Sequence, residues 1–158
     1  MGLDMYLNGK AFLWTDWDKP ENNLQRDGYR VREITLELGY WRKHPDLHGY
    51  IVETFAKGVD NCEEINLTAE NMIQIIAAIK DRQLPHTEGF FFGASDGSED
   101  KATIEIFLKA IKWLEGVAAL RMAKNVTPLG RGMVVAEIDV ETVKTIKESR
   151  EVVYRASW

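Results

Sequence analysis

The stretch Gly39-Tyr40-Trp41-Arg42-Lys43-His44-Pro45-Asp46-Leu47-His48 holds the densest group of side chains able to do chemistry in this chain. Tyr40 and Trp41 offer aromatic faces, and stacking a base on such a face is worth ~1–3 kcal/mol. Arg42 presents a planar fork that matches phosphate or carboxylate, and Lys43 adds a point charge. With His48, these four form a candidate binding set for a small anionic ligand such as a nucleotide. A plainer reading competes with it, in which Trp41 packs in the core while Arg42 and Lys43 are solvated.

His44 and His48 are four residues apart, and with Asp46 between them they raise the question of a metal. Pro45 interrupts helical geometry between the histidines, which places His44 outside any helix that carries His48. There is no His-Glu-x-x-His pattern, so no metal is expected. His48 reads as a hydrogen-bonded, partly buried histidine. Its alternative role is as an acid or base near Asp4 or Glu37. Cys62 stands beside Asp60, Glu63 and Glu64, whose charge disfavours a thiolate, so it reads as structural. Gly93 to Asp100 lacks the spacing of a calcium loop. Gly130-Arg131-Gly132 is not a phosphate loop, and no nucleophile elbow occurs. No cofactor and no catalytic residue follows from these motifs.

The elements that position the Gly39–His48 stretch are legible from hydropathy. Leu3, Met5 and Leu7 alternate with polar residues, which predicts a strand over 2–14. A polar loop over Thr15–Gly28 follows. Val31, Ile34, Leu36 and Leu38 predict a second strand over 30–40, antiparallel to the first. Pro45 and Asp46 start a helix carrying Leu47, Ile51, Val52 and Phe55, with Gly58 as its stop. Glu64–Leu67 is a short strand-like link. Thr68 caps a helix with Met72, Ile75, Ile76 and Ile79 on one face, ended by Leu84-Pro85. Gly89–Gly93 reads as a buried aromatic strand. Ser98 reads as the cap of a helix to about Ala123, with Ile104, Phe107, Leu108, Ile111, Leu114 and Ala118 as its apolar face. Thr127–Gly132 is a linker. Met133–Ile138 reads as a strand, and Asp139 caps a helix with Val140, Val143 and Ile146. Val152–Trp158 reads as a terminal strand pairing with Met1–Leu7 and burying Trp158. The class expected is α+β, with a mainly antiparallel sheet of about four to six strands and three to four helices packed on it.

The chain has 158 residues, 45% apolar and 28% charged, which suits one globular domain able to bury a core without disulfides or metal. A net charge of −5 argues against general duplex DNA binding, which needs a basic face. No apolar run reaches the ~20 residues of a membrane span, and Met1–Met5 lacks a signal-peptide pattern. A cytoplasmic protein is expected.

Four pieces of the sequence carry a resemblance. They are Met1 to Leu7 (Met-Gly-Leu-Asp-Met-Tyr-Leu), Gly39 to Lys43 (Gly-Tyr-Trp-Arg-Lys) followed by His48, Gly89 to Gly93 (Gly-Phe-Phe-Phe-Gly), and the Tyr-x-x-Ser-Trp ending at Tyr154 to Trp158. With these the chain resembles a small family of phage and prophage proteins. Some members carry the label phosphoglycerate kinase. This chain is far too short for that two-domain enzyme and has no nucleotide loop. Residues 125–150 are longer than is usual for the family and read as an insertion. The resemblance implies a phage or prophage setting rather than an activity. An acidic domain without catalytic motifs then suits an accessory protein that binds a host protein in the host cytoplasm. The alternatives are a protein that binds or sequesters a nucleotide or signal nucleotide, and an enzyme with an unfamiliar site.

Overall fold

The computed structural model describes residues 2–89, 93–123 and 148–158. The first strand, β1 (Asp4–Leu13), keeps the period of two seen in the sequence: Met5, Leu7, Gly9 and Ala11 are buried. The chain then makes a small hairpin, β2 (Gln25–Arg26) and β3 (Tyr29–Arg30), whose first strand and tip fall in the region expected to be loop and whose second strand reaches the start of the expected second strand. Asp27 (φ +53°) and Gly28 (φ +82°) form its tip, and an Asp-Gly pair suits two successive left-handed residues. The next strand, β4 (Glu33–Arg42), runs antiparallel to β1, from Phe12↔Glu33 to Asp4↔Arg42. The pairing shifts between Leu7↔Gly39 and Asn8↔Glu37, so Leu38 is the extra residue of a bulge.

Three helices follow: α1 (Pro45–Phe55), α2 (Ala69–Lys80) and α3 (Asp100–Ala123). The short strand β5 (Ile65–Asn66) lies between the first two. In α2, Thr68 and Asn71 form a reciprocal capping box, as the sequence suggests at Thr68. At α3 the expectation needs correction. The helix begins at Asp100, while Ser98 is held two residues earlier, donating its hydroxyl to Asp96 Oδ1 across 2.5 Å. Leu108 is 52% exposed, so it leaves the apolar face assigned to it.

The last strand, β6 (Glu148–Ser157), lies beside β1 over its whole length, with Asp4↔Ser157 and Leu7↔Tyr154. The terminal segment therefore pairs with the opening one, as expected. Trp158 does not go under: it is 42% exposed, its ring 5.8 Å from that of His48. The sheet order is β4-β1-β6-β5, antiparallel throughout. Among the described residues, three α-helices, this four-stranded sheet and the two-stranded hairpin make an α+β fold. The elements expected at residues 90–92 and 133–146 lie outside the described residues.

One face of the sheet is the core. Met5, Leu7, Trp41, Val152, Tyr154 and Ala156 project from it onto Leu47 and Ile51 of α1, Met72, Ile75 and Ile79 of α2, and Phe107 of α3. Each such large side chain contributes about 1.5–3 kcal/mol when fully buried. Two glycines let α3 approach the strands. A Cβ on Gly9 would come within 2.7 Å of the Trp113 ring, and one on Gly39 would collide with Ile106. The helix thus sits where strand residues have no side chain.

Candidate functional site

Strand β4 delivers the candidate residues to one corner, but not in the arrangement that strict alternation predicts. Trp41 points inward and is buried. It stacks on Phe107 at 5.5 Å, and its Nε1–H donates to Thr103 Oγ1 across 2.9 Å. Tyr40 and Arg42 point to the other face, but both turn to Asp4. The Tyr40 hydroxyl donates to Asp4 Oδ1 at 2.5 Å, and Arg42 Nε lies 3.9 Å from the same oxygen. That hydrogen bond raises the Tyr40 pKa. The pair is therefore engaged within the protein rather than set as an open stacking platform. Lys43 does not continue the strand on the Trp41 side. It takes φ +57°, and its stem lies over Gly93, where a Cβ would come within 3.0 Å.

His44 is the residue that the sequence reading undervalues. It stands just before α1, outside the helix as Pro45 dictates, and is 2% exposed. Its Nδ1 lies 2.9 Å from Ser95 Oγ, and the same oxygen accepts the Asp46 N–H at 3.2 Å. Asp46 Oδ1 in turn accepts the Thr87 N–H at 3.0 Å. The start of α1 is thus tied to the chain on both sides of residues 90–92. Among the described residues, His44 Nε2 is shut off from water and has no hydrogen-bond partner. An orphaned buried polar group of this kind costs about 1–3 kcal/mol. Burial lowers the His44 pKa and outweighs the opposing pull of Glu99, Asp100, Asp46 and Asp96.

Two pockets open side by side at this corner, the lobes of a shallow cleft that share part of their walls. The larger lobe, about 490 Å³, is walled by Asp46, Ile79, Arg82, Leu84, Ser95 and Asp100. The smaller, about 240 Å³, is walled by Arg42, Lys43, Ala94, Ser98 and Glu99. His44, Asp96 and Gly97 line both. Ser98 donates its N–H and hydroxyl to Asp96 and holds that carboxyl below its usual range. Arg42 and Lys43 therefore reach a cleft, whereas Tyr40 and Trp41 do not line it.

His48 belongs elsewhere. It projects from α1 into the core, 2% exposed, with Nδ1 2.7 Å from the Tyr154 hydroxyl and Nε2 2.9 Å from Asp60 Oδ2. Neither Asp4 nor Glu37, the partners expected from the sequence, is its hydrogen-bond partner. The Asp60 carboxylate can only accept, so Nε2 carries hydrogen and Nδ1 of the neutral ring accepts from the Tyr154 hydroxyl; burial pushes the Tyr154 pKa well up. Tyr154 is 1% exposed, so no reactant reaches it, and the arrangement braces α1 against β6. Asp60 and His48 do border a separate groove with Glu53, His86 and Glu88. No group of three or more His, Cys, Asp or Glu among the described residues is placed to hold a metal. No helix among them is long and apolar enough to cross a membrane.

The most exposed aromatics among the described residues lie at the opposite end of the β1–β4 hairpin. Trp14 is 66% exposed, Trp17 82% and Tyr29 78%. The segment bearing them is braced from within. Asp16 accepts the N–H groups of Asp18 and Lys19 and the Asn22 side-chain amide, and Asn23 clasps the Asp16 backbone on both sides. Arg30 donates to Thr15 Oγ1, and Val31 N–H to Leu24 carbonyl at 2.8 Å. Residues 14–31 thus form a braced arm with two tryptophans on its surface.

Comparison with known proteins finds no match among family models, curated proteins or solved structures. The residues themselves carry the functional argument. Sequence reasoning groups Tyr40, Trp41, Arg42, Lys43 and His48; the structure sends two of them to the cleft and two into the core, with Tyr40 bound to Asp4. It passes over Trp14, Trp17 and Tyr29, although tryptophans within a polar, turn-rich stretch are themselves a signal, since such a stretch has little core to bury them in.

Proposed function

We propose that this is a phage or prophage accessory protein that acts by binding a host protein in the host cytoplasm, and that the arm over residues 14–31 makes the contact. The observation that carries the reading is the exposure of Trp14, Trp17 and Tyr29 on a braced segment. Trp, Tyr and Arg dominate the energetics of protein interfaces, and Arg26 and Arg30 stand on the same arm. A surface already held in shape loses less conformational freedom on binding. The phage setting rests on the resemblance of the opening, the Trp-Arg-Lys segment and the ending.

The test is affinity capture from bacterial lysate with the wild type and with Trp14→Ala/Trp17→Ala. Both positions are surface sites where substitution shifts stability within about ±0.5 kcal/mol. The reading expects a stoichiometric partner that the folded double variant loses. Identical capture by both proteins would refute it.

A second reading has its own support: a small ligand, anionic at least in part, held in the cleft. Arg42 and Lys43 wall the smaller lobe, and His44, whose Nε2 has no hydrogen-bond partner among the described residues, lines both lobes. A thermal-shift screen against small charged ligands tests it, because a ligand that binds the native state raises the melting temperature. No shift with any ligand counts against it.

A further inference from the structure

Register places exposed aromatics of the arm on one face. Arg26 and Tyr29 are a cross-strand pair of the small hairpin, so their side chains project to the same side. The Val31 N–H donates to the Leu24 carbonyl, which puts Leu24 and Val31 two residues further along the ladder and on that side too. Arg30 projects to the other side, where it donates to Thr15 Oγ1. The Leu13 N–H donates to the Arg32 carbonyl, so Trp14 comes alongside Val31. One residue from Thr15, Trp14 projects to the side of Tyr29. Trp14, Leu24 and Tyr29 are exposed there, and Val31 between them is half-buried.

Trp14 and Tyr29 thus stand as two rings over a Val31 floor. Diagonal neighbours on paired strands are about 7–8 Å apart, which leaves a slot one ring wide. The polar atoms of this face donate: Trp14 Nε1–H, the Tyr29 hydroxyl and the Arg26 guanidinium. Neither aromatic has a hydrogen-bond partner among the described residues. We propose that the slot takes a proline-rich segment of the partner in the polyproline II conformation. The inference rests on the reading above, that the arm binds a host protein, and names the kind of segment it grips.

Proline matches both the shape and the polarity of the slot. Its ring packs between two aromatic faces. It has a carbonyl but no N–H, and a polyproline II helix makes no internal hydrogen bonds, so its carbonyls are left for donors such as an indole N–H. The helix is already formed before it docks, and the arm is already braced, so little freedom is lost on either side. The chief rival is a single nucleic-acid strand, since bases also stack on Trp and Tyr. Such a strand needs net positive charge along its backbone. On this arm Lys19, Arg26 and Arg30 are offset by Asp16, Asp18, Glu21 and Asp27.

The experiment titrates the intact chain with acetyl-decaproline, with a Gly-Ser peptide of the same length and with oligo-dT, and follows the indole N–H signals by NMR. Trp41, whose Nε1–H is bonded to Thr103 in the core, is the internal control. The expected result is a saturable shift at Trp14 with decaproline alone, Trp41 unmoved, and binding at least roughly tenfold weaker in Tyr29→Ala. A shift with oligo-dT but not with decaproline overturns the proposal in favour of nucleic acid. No shift at Trp14 with decaproline, while Trp14→Ala/Trp17→Ala still loses its captured partner, overturns the proline-rich segment and leaves the arm as the contact. If capture is also indifferent to that double variant, the arm reading falls with it.

Discussion

The Tyr154 hydroxyl meets His48 Nδ1 across 2.7 Å in the middle of the core, where the last strand faces the first helix. Asp60 takes the other ring nitrogen at 2.9 Å, so the imidazole is satisfied on both edges. This one residue ties α1 both to the segment before β5, twelve residues on, and to β6, more than a hundred residues away.

Tyr154→Phe tests that tie with little change of volume. It strands His48 Nδ1 in a buried site, and such an unpaired group costs about 1–3 kcal/mol. Urea unfolding should show a lower midpoint with an unchanged slope. A variant as stable as the parent would mean that the hydroxyl contributes nothing to the fold.

Neighbours on β4 should behave very differently. Trp41→Ala removes a side chain that is 5% exposed, stacked on Phe107 and bonded to Thr103, and should cost about 3–5 kcal/mol. The Arg42 side chain is 61% exposed and only 3.9 Å from Asp4 at its closest, so Arg42→Ala should stay within about ±0.5 kcal/mol. Paired unfolding curves decide it. A destabilised Arg42→Ala beside an unaffected Trp41→Ala would reverse the assignment of faces.

Much of this frame is legible in the amino-acid pattern alone. Alternation marks β1 and the closing strand, because one face of each is buried and the period of two must survive; on β4 the alternating Ile34 and Leu38 are only partly buried and Leu36 is 42% exposed, so burial alternates there only from Gly39 on. Thr68 and the Met72–Ile79 stripe mark α2 for the same kind of reason. The site is less legible because it depends on contacts between distant segments. Strict alternation puts Lys43 on the side of Trp41, but the strand ends at Arg42 and the next residue turns left-handed. Nothing local says that Asp4 draws in both Tyr40 and Arg42, or that Asp60 and Tyr154 find His48. The Asp27-Gly28 pair is a turn signal in its own right, but the polar residues around it read as one long loop. Trp158 carries a terminal signature, but it lies just past the last pairing, Asp4↔Ser157, and so stays half-exposed.

The buried His44 makes stability depend on pH. Burial holds its folded-state pKa below the ordinary 6.5. The unfolded chain therefore binds a proton that the native state resists. This stabilising contribution is fully present above the unfolded value and is lost as pH falls from there through the folded pKa. Stability should drop between about pH 7.5 and about pH 5.5, and the drop should shrink in His44→Gln. Urea midpoints at both pH values for both proteins provide the check. An equal slope in the two proteins would show that another group titrates there.

The most direct measurement for the central claim is hydrogen exchange on the captured complex, compared with the free protein. If the arm makes the contact, added protection should centre on residues 14–31, and the cleft around His44 should exchange as before. Protection at the cleft or along the helices, with the arm exchanging at its free rate, would contradict the account.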